Sequence, residues 1–336
     1  MNGANNLCKY KSRGLVANKP AIKKTEGKSR IETIDWNGFS WIDISPPSDD
    51  SSNYLKERFP FHSLDLDDTC SRIQRPKIDE YKDYLFLVFR FPRYRKQEQV
   101  LTASQISVFM GEDYLITLHQ GDLKPLTKLF RECQLEEEAR QEYLSQGPVY
   151  LLYRILDRLV DYCLPILDKV GNSIEDIEDE IFSANNQSLV QEISRLRRDV
   201  IAFHRIISPM KTLIGSLENK LRRYIKSDLA VYYGDMSDHM DKIWDGLCEY
   251  KDIIESLSDT FNSLSSNRIN EILRVLTILT VISAVLTVIV GFYGMNVPLP
   301  GGSDPGGSPI AWLIIIFAGI LLIILMILFF RYKRWL

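Results

Sequence analysis

The sequence predicts an α+β cytosolic domain that runs through a long helical stalk into two C-terminal transmembrane helices. Three observations carry this prediction: two long runs near the C-terminus hold no charge, the text ahead of them is helical and free of proline, and short β-rich runs fill the N-terminal third. The averages conceal the division. With 336 residues, 45% hydrophobic, 25% charged, net charge −3, 18 Gly and 14 Pro, the composition excludes a collagen-like, low-complexity or wholly disordered chain.

The elements follow in order. Residues 1–32 form a basic tail: the first thirty carry eight Lys or Arg against one acid, Glu26, so they contribute +7 and leave −10 for the rest. The tail lacks the apolar core of a signal peptide and reads as disordered. Residues 33–145 alternate between β-rich runs, FSWIDI, YLFLVFRF, ISVFM and YLITL, and helical text such as SNYLKERF, which predicts a mixed α/β domain. Within it His62, Asp65, Asp67 and Asp68 could form a metal cluster, yet HSLDLDD is equally the start of a helix with acids near its N-terminal dipole.

Residues 146–274 are the helical region and stalk. The stretch 146–226 reads as two helices, one with the acids Glu175, Asp176, Glu178, Asp179 and Glu180, the next with Arg195, Arg197 and Arg198; such runs read as solvated faces of a helical hairpin. From about Ser237 the pattern stays helical into the membrane, and an unbroken helix to Tyr293 measures roughly 85 Å. Residues 275–293 and 310–330 are each long enough to cross a hydrocarbon core of about 30 Å. The loop 294–309 between them has no Lys or Arg, whereas Arg331, Lys333 and Arg334 follow the second span in the tail 331–336. Positive charge stays inside, which places both termini in the cytoplasm and the protein in the cell (inner) membrane.

The two spans differ in kind. The second is apolar on every side, as a lipid-facing helix is. In the first, Thr277, Thr280, Ser283 and Thr287 fall, at about 100° per residue, within one arc of roughly 120°. Steps of three and four extend this face into a seam of Asn270, Leu273, Thr277, Thr280, Ala284, Thr287 and Gly291. Small and hydroxyl residues in a membrane helix also serve as packing glue. A ring of such helices, however, encloses a path for water from Gly291 down to Asn270.

Enzyme chemistry has no foothold. Cys8, Cys70, Cys133, Cys163 and Cys248 are odd in number and form no C-x-x-C pair, and His62, His119, His204 and His239 are scattered. No zincin helix, nucleophile elbow, Walker loop or dinucleotide loop is present in the sequence.

The ordered set of features resembles the CorA family of metal ion transporters. The resemblance rests on Gly294-Met295-Asn296 after Tyr293, on Asn267-Arg268-Ile269-Asn270-Glu271 before the first span, on Gln74-Arg75-Pro76-Lys77 followed by Tyr81, and on the closing Lys333-Arg334-Trp335-Leu336. It covers nearly the whole chain from about residue 35. It implies a homopentamer in the lipid bilayer with five first spans around a pore, the second spans outside, and divalent cations as substrate and regulator. Neither a cofactor nor a nucleic-acid partner is expected.

By position, the resemblance makes Asn296, with Gly294 and Met295, the ring that meets the hydrated ion. Asn270, Leu273, Leu276, Thr277, Thr280, Ala284, Thr287 and Gly291 become pore-lining, with Leu273 and Leu276 at a hydrophobic constriction. Asp68 and Asp235 become a regulatory metal pair between neighbouring subunits, with Asp67 and Asp157 a second, looser site. Magnesium is the favoured ion, with cobalt and nickel as surrogates. The loop VPLPGGSDPGGSP has one acid, Asp304, where many magnesium-transporting relatives carry Met-Pro-Glu-Leu, and in this it is closer to the zinc-transporting ZntB branch. Zinc transport, with proton coupling, is therefore an alternative. A reading of another class is a membrane-anchored metal-sensing protein whose spans are only an anchor.

Overall fold

The computed structural model describes residues 29–71, 74–95, 100–181, 187–221, 230–294 and 309–333. Most of the predicted basic tail, Met295, Asn296, most of the loop that follows, and residues 334–336 lie outside these. The chain divides into two compact units, one made of residues up to Pro165 together with Arg205–Trp244, the other of Ile166–His204 together with Asp245 onward.

The first unit is built on a six-stranded sheet. Its strands are β1 (Arg30–Trp36), β2 (Phe39–Ser45), β3 (Lys77–Glu80), β4 (Leu85–Arg95), β5 (Val100–Met110) and β6 (Tyr114–His119), in the spatial order β1-β2-β6-β5-β4-β3. All neighbours are antiparallel except β2 and β6, so α1 (Asp49–Arg58), α2 (Ser63–Cys70) and the β3 to β5 meander form the crossover between that parallel pair. β4 reads as a nearly continuous apolar run because both its faces are covered: Leu85, Phe86, Leu87, Val88 and Phe89 are all fully buried.

One face packs Ile42, Ile44, Phe86, Val88, Phe109, Ile116 and Leu118 against Leu55 of α1 and Leu66 of α2. The opposite face carries Trp41, whose ring meets Phe130 of α3 (Lys124–Leu135) edge-on at 4.8 Å. The polar side chains on that face answer one another. Thr117 donates to Asp43 Oδ1 (2.6 Å), and the Gly121 N–H donates to His119 Nδ1 (3.0 Å), which leaves His119 Nε2 as the protonated nitrogen facing Asp43 at 3.1 Å. The edge of β4 beyond β3 is covered too, since the Arg90 N–H donates to Met210 Sδ.

The stretch predicted as two helices is three: α5 (Pro148–Asp161), α6 (Leu164–Ile181) and α7 (Gln187–Leu221), with α4 (Glu137–Leu144) before them. The break falls at Tyr162 and Cys163, just ahead of Pro165, which has no N–H to give and fits only the first turn of a new helix. The next helix, α8 (Ala230–Tyr293), is 64 residues long and begins earlier than Ser237.

In the second unit Val170, Ile174, Ile177 and Ile181 of α6 recur at helical spacing and pack with Leu189, Ile193, Leu196 and Val200 of α7 and Ile254 and Leu257 of α8. Gly171 leaves room there for the Tyr250 hydroxyl, which a β-carbon at this position would crowd. The acids Glu175, Asp176, Glu178, Asp179 and Glu180 are exposed. The last helix is α9 (Pro309–Tyr332), 24 residues or about 36 Å.

Candidate ion pathway and metal site

Among the described residues, α8 holds a segment long and apolar enough to cross a membrane. On it the seam residues Asn270, Leu273, Thr277, Thr280, Ala284, Thr287 and Gly291 are all exposed in the single chain, as is Leu276. The shielded residues are different ones. Ile278, Ile282, Val285, Leu286 and Ile289 are the buried or half-buried positions, and they lie roughly 150° round the helix from the seam. On α9 the shielded positions Gly319, Ile323, Met326 and Phe330 repeat the same spacing. The two helices thus each present one covered stripe, and the seam of α8 is left open.

The seam hydroxyls share one geometry. Thr277 donates to the Leu273 carbonyl (2.7 Å), Thr280 to that of Leu276 (2.7 Å) and Thr287 to that of Ser283 (2.8 Å). Each hydroxyl has one proton, and it is spent on the backbone four residues earlier, so what faces outward is an oxygen with lone pairs only. A stack of such oxygens accepts hydrogen bonds from water that solvates a cation and repels nothing positive. At the top of α8 the Gly294 N–H donates to Val290 O (2.9 Å), extending the helical ladder by one step. A β-carbon on Gly294 would press on that same carbonyl at 3.2 Å. Met295 and Asn296, the rest of the predicted entrance, lie outside the described residues.

In the first unit Asp68 sits near the C-terminus of α2, and the residues that hold it, Gln74 and Lys77, belong to the Gln74-Arg75-Pro76-Lys77 stretch. Its Oδ1 accepts from Gln74 Nε2 (2.8 Å) and its Oδ2 lies 2.7 Å from Lys77 Nζ. Lys77 also reaches Asp79 Oδ2 at 2.6 Å. Burial alone would lower the Lys77 ammonium, but hydrogen bonds and charge from Asp68 and Asp79 outweigh it and hold the group above its ordinary value. The start of α2 is fixed by Asp65, 1% exposed, which accepts from Tyr84 (2.9 Å) and Tyr81 (3.2 Å), while His62 Nδ1 caps the helix by accepting from the Leu64 N–H. Asp65 is therefore a structural anchor, with burial raising its carboxyl above the usual range. Asp67 is exposed.

Asp157 and Asp235 fall elsewhere in the same unit. Asp157 on α5 is raised above the ordinary carboxylate value, first by burial and then by the charge of Asp161, with Arg154 and His239 opposing and Asp235 adding to the repulsion. His239 Nδ1 stands 3.4 Å from Asp161 Oδ1. Asp157 and Asp235 thus share one electrostatic neighbourhood with His239, which looks merely scattered in the sequence, and with Asp161, whose spacing matches no metal motif. No group of three or more His, Cys, Asp or Glu side chains converges on a metal position among the described residues. The hydrogen bond and ion pair of Asp68 go to Gln74 and Lys77, and neither reaches Asp235 within one chain.

Comparison with known proteins agrees with this layout. Residues 36–334 match the family model described as CorA-like Mg2+ transporter protein. The chain is 28% identical over 320 residues to the cobalt/magnesium transport protein CorA of Thermotoga maritima, covering 94% of this chain and 88% of that one. It is 23% identical over 295 residues to the protein of the same name from Methanocaldococcus jannaschii, covering 88% and 90% of the two chains. The complete structure of the CorA magnesium transporter from Methanocaldococcus jannaschii superimposes with a TM-score of 0.78 at 21% identity, over 90% of this chain and 94% of that one.

Proposed function

The chain belongs to the CorA-like Mg2+ transporter family, and from that premise we propose that it assembles as a homopentamer that passes magnesium into the cytosol along the α8 seam. A membrane potential of 100 mV, inside negative, supplies about 4.6 kcal/mol for a divalent ion, twice the single-charge value, and needs no nucleotide site. The two spans are α9 and the C-terminal part of α8, with both chain ends in the cytoplasm. Asn296 meets the hydrated ion at the outer mouth, Leu273 and Leu276 form the constriction, and Asn270 the polar ring below it.

The observation that carries this reading is the set of back-bonded hydroxyls. Magnesium dehydrates reluctantly and keeps its waters, whose hydrogens point outward. Thr277, Thr280 and Thr287 offer oxygens without protons to those waters, and no carboxylate inside the span to trap the ion. Leu273 and Leu276, 53% and 55% exposed in one chain, gain neighbours when five copies close the ring. Asp68 and Asp235, from neighbouring subunits, bind cytosolic divalent ions and hold the ring shut, with Asp67 and Asp157 beside them. Replacing both Asp68 and Asp235 with Asn leaves transport less inhibited by internal magnesium; unchanged inhibition would remove that site.

Two features bear on the ion. Relatives named above carry cobalt and magnesium in their names, and cobalt and nickel are proposed as surrogate substrates. The acid-poor outer loop favours zinc as the second reading, and uptake of magnesium and zinc into liposomes with and without a pH gradient separates the two.

A further inference from the structure

Lys77 is positioned as more than a brace. Its ammonium bridges two carboxylates, Asp68 at 2.7 Å and Asp79 at 2.6 Å, and rests near the Phe86 ring, 5.1 Å from its centroid. The two oxygens of Asp68 are each taken, one by the Gln74 amide and one by this ammonium. A divalent cation that binds Asp68 must compete with both. The Gln74 contact is a neutral donor, whose amide also offers an oxygen to a cation when turned. The Lys77 contact is a full positive charge, which a second positive charge cannot share at hydrogen-bond distance. Lys77 has somewhere to go, because Asp79 Oδ2 already holds it from the other side, and a small rotation of the side chain leaves the ion pair with Asp79 intact.

We propose that Lys77 is a tethered counter-ion of Asp68, which moves onto Asp79 when a cytosolic divalent cation takes Asp68 and so sets the concentration at which that site fills. The inference rests on the reading of Asp68 as a regulatory ligand. In the empty site the ammonium neutralises a carboxylate that would otherwise repel its neighbours across a subunit interface. The cation must then arrive at a concentration high enough to displace it. Asp68, Lys77 and Asp79 are all partly exposed, with side chains 22%, 32% and 37% accessible, so water screens the competition and its effect is moderate.

The test uses the full-length chain in detergent. The readout is the magnesium concentration that gives half-maximal protection from a protease, with internal-magnesium inhibition of uptake in liposomes as the second readout. Lys77→Gln removes the charge and keeps the length, and is expected to lower the half-protecting concentration about three- to tenfold, a size in keeping with a partly exposed pair. Lys77→Arg, which keeps the charge, stays within twofold of the native chain. Asp79→Asn leaves the ammonium only Asp68 to hold and raises the concentration needed; combined with Lys77→Gln it loses most of that effect, whereas a simple long-range field would act in both backgrounds. If Lys77→Gln leaves the concentration unchanged or raises it while Asp68→Asn still weakens protection, the counter-ion role is wrong and the regulatory reading stands. If Asp68→Asn changes nothing, the regulatory reading itself fails and takes this inference with it.

Discussion

The sheet of the first unit and the membrane end of α8 treat their side chains in opposite ways. In and beside the sheet, the two most buried carboxylates find partners in the same chain: Asp43 of β2 has Thr117 and His119, and Asp65 of α2 has Tyr81 and Tyr84. Along the membrane end of α8 the seam is exposed, Leu273 and Leu276 included, and Ile278, 7% exposed, is the buried member of the opposite stripe. The first region is completed by its own sequence. The second has one stripe covered and its seam exposed among the described residues, which is what the proposed ring of subunits requires.

Substitutions that separate these two regimes sharpen the contrast. Phe109→Ala empties a site that is fully buried among Phe61, Tyr84 and Phe86 and should destabilise the sheet by about 3–5 kcal/mol, read by denaturant unfolding. A similar loss from Leu279→Ala, 61% exposed in one chain, would break the distinction unless it depended on protein concentration. Asn296→Ala is expected to cut magnesium uptake at least tenfold without lowering the melting temperature of the purified assembly; a fully active variant would argue for the anchor reading. Thr280→Val and Thr287→Val keep the shape and remove the oxygen, so each should slow uptake severalfold, while Thr→Ser at the same positions restores it.

The smallest effect concerns Asp157. Its folded-state value is raised above the ordinary 3.8 by burial and by Asp161, so the folded chain holds the proton more tightly than the unfolded one. Stability from this group is therefore greatest below pH 3.8 and declines as pH rises through the raised value. Asp157→Asn should raise the melting temperature by roughly 2 °C at pH 7 in chelator and by less near pH 4, as followed by thermal denaturation. An equal gain at both values would show that charge is not the cause.

Much of this was legible from residue pattern alone. The strands containing FSWIDI, YLFLVFRF, ISVFM and YLITL are found where alternation and apolar runs put them, and HSLDLDD does begin a helix, capped by His62. The short strand Lys77–Glu80 carries a mixed charge pattern with no apolar face, so only its pairing with Leu85–Val88 reveals it. The helix break at Cys163 was masked by apolar residues that continue the period on both sides. Of the site, the Thr seam was readable because 3.6-residue spacing survives in sequence. The bond from each hydroxyl to a carbonyl was not, since it depends on a rotamer. Asp68 stands out only through the family resemblance, and its hold on Lys77, which strand β3 also sets beside Asp79, is a tertiary contact that no residue pattern shows.

The central claim is that the seam conducts a hydrated divalent ion down the electrical gradient, and flux measured under an imposed potential tests it most directly. Purified full-length chain in liposomes, with a magnesium-reporting dye inside, a potassium diffusion potential that is negative inside and no pH gradient, should show magnesium entry that grows with the potential and disappears in Asn296→Ala. Entry that ignores the potential, or that occurs for zinc alone and only with a pH gradient, would contradict it.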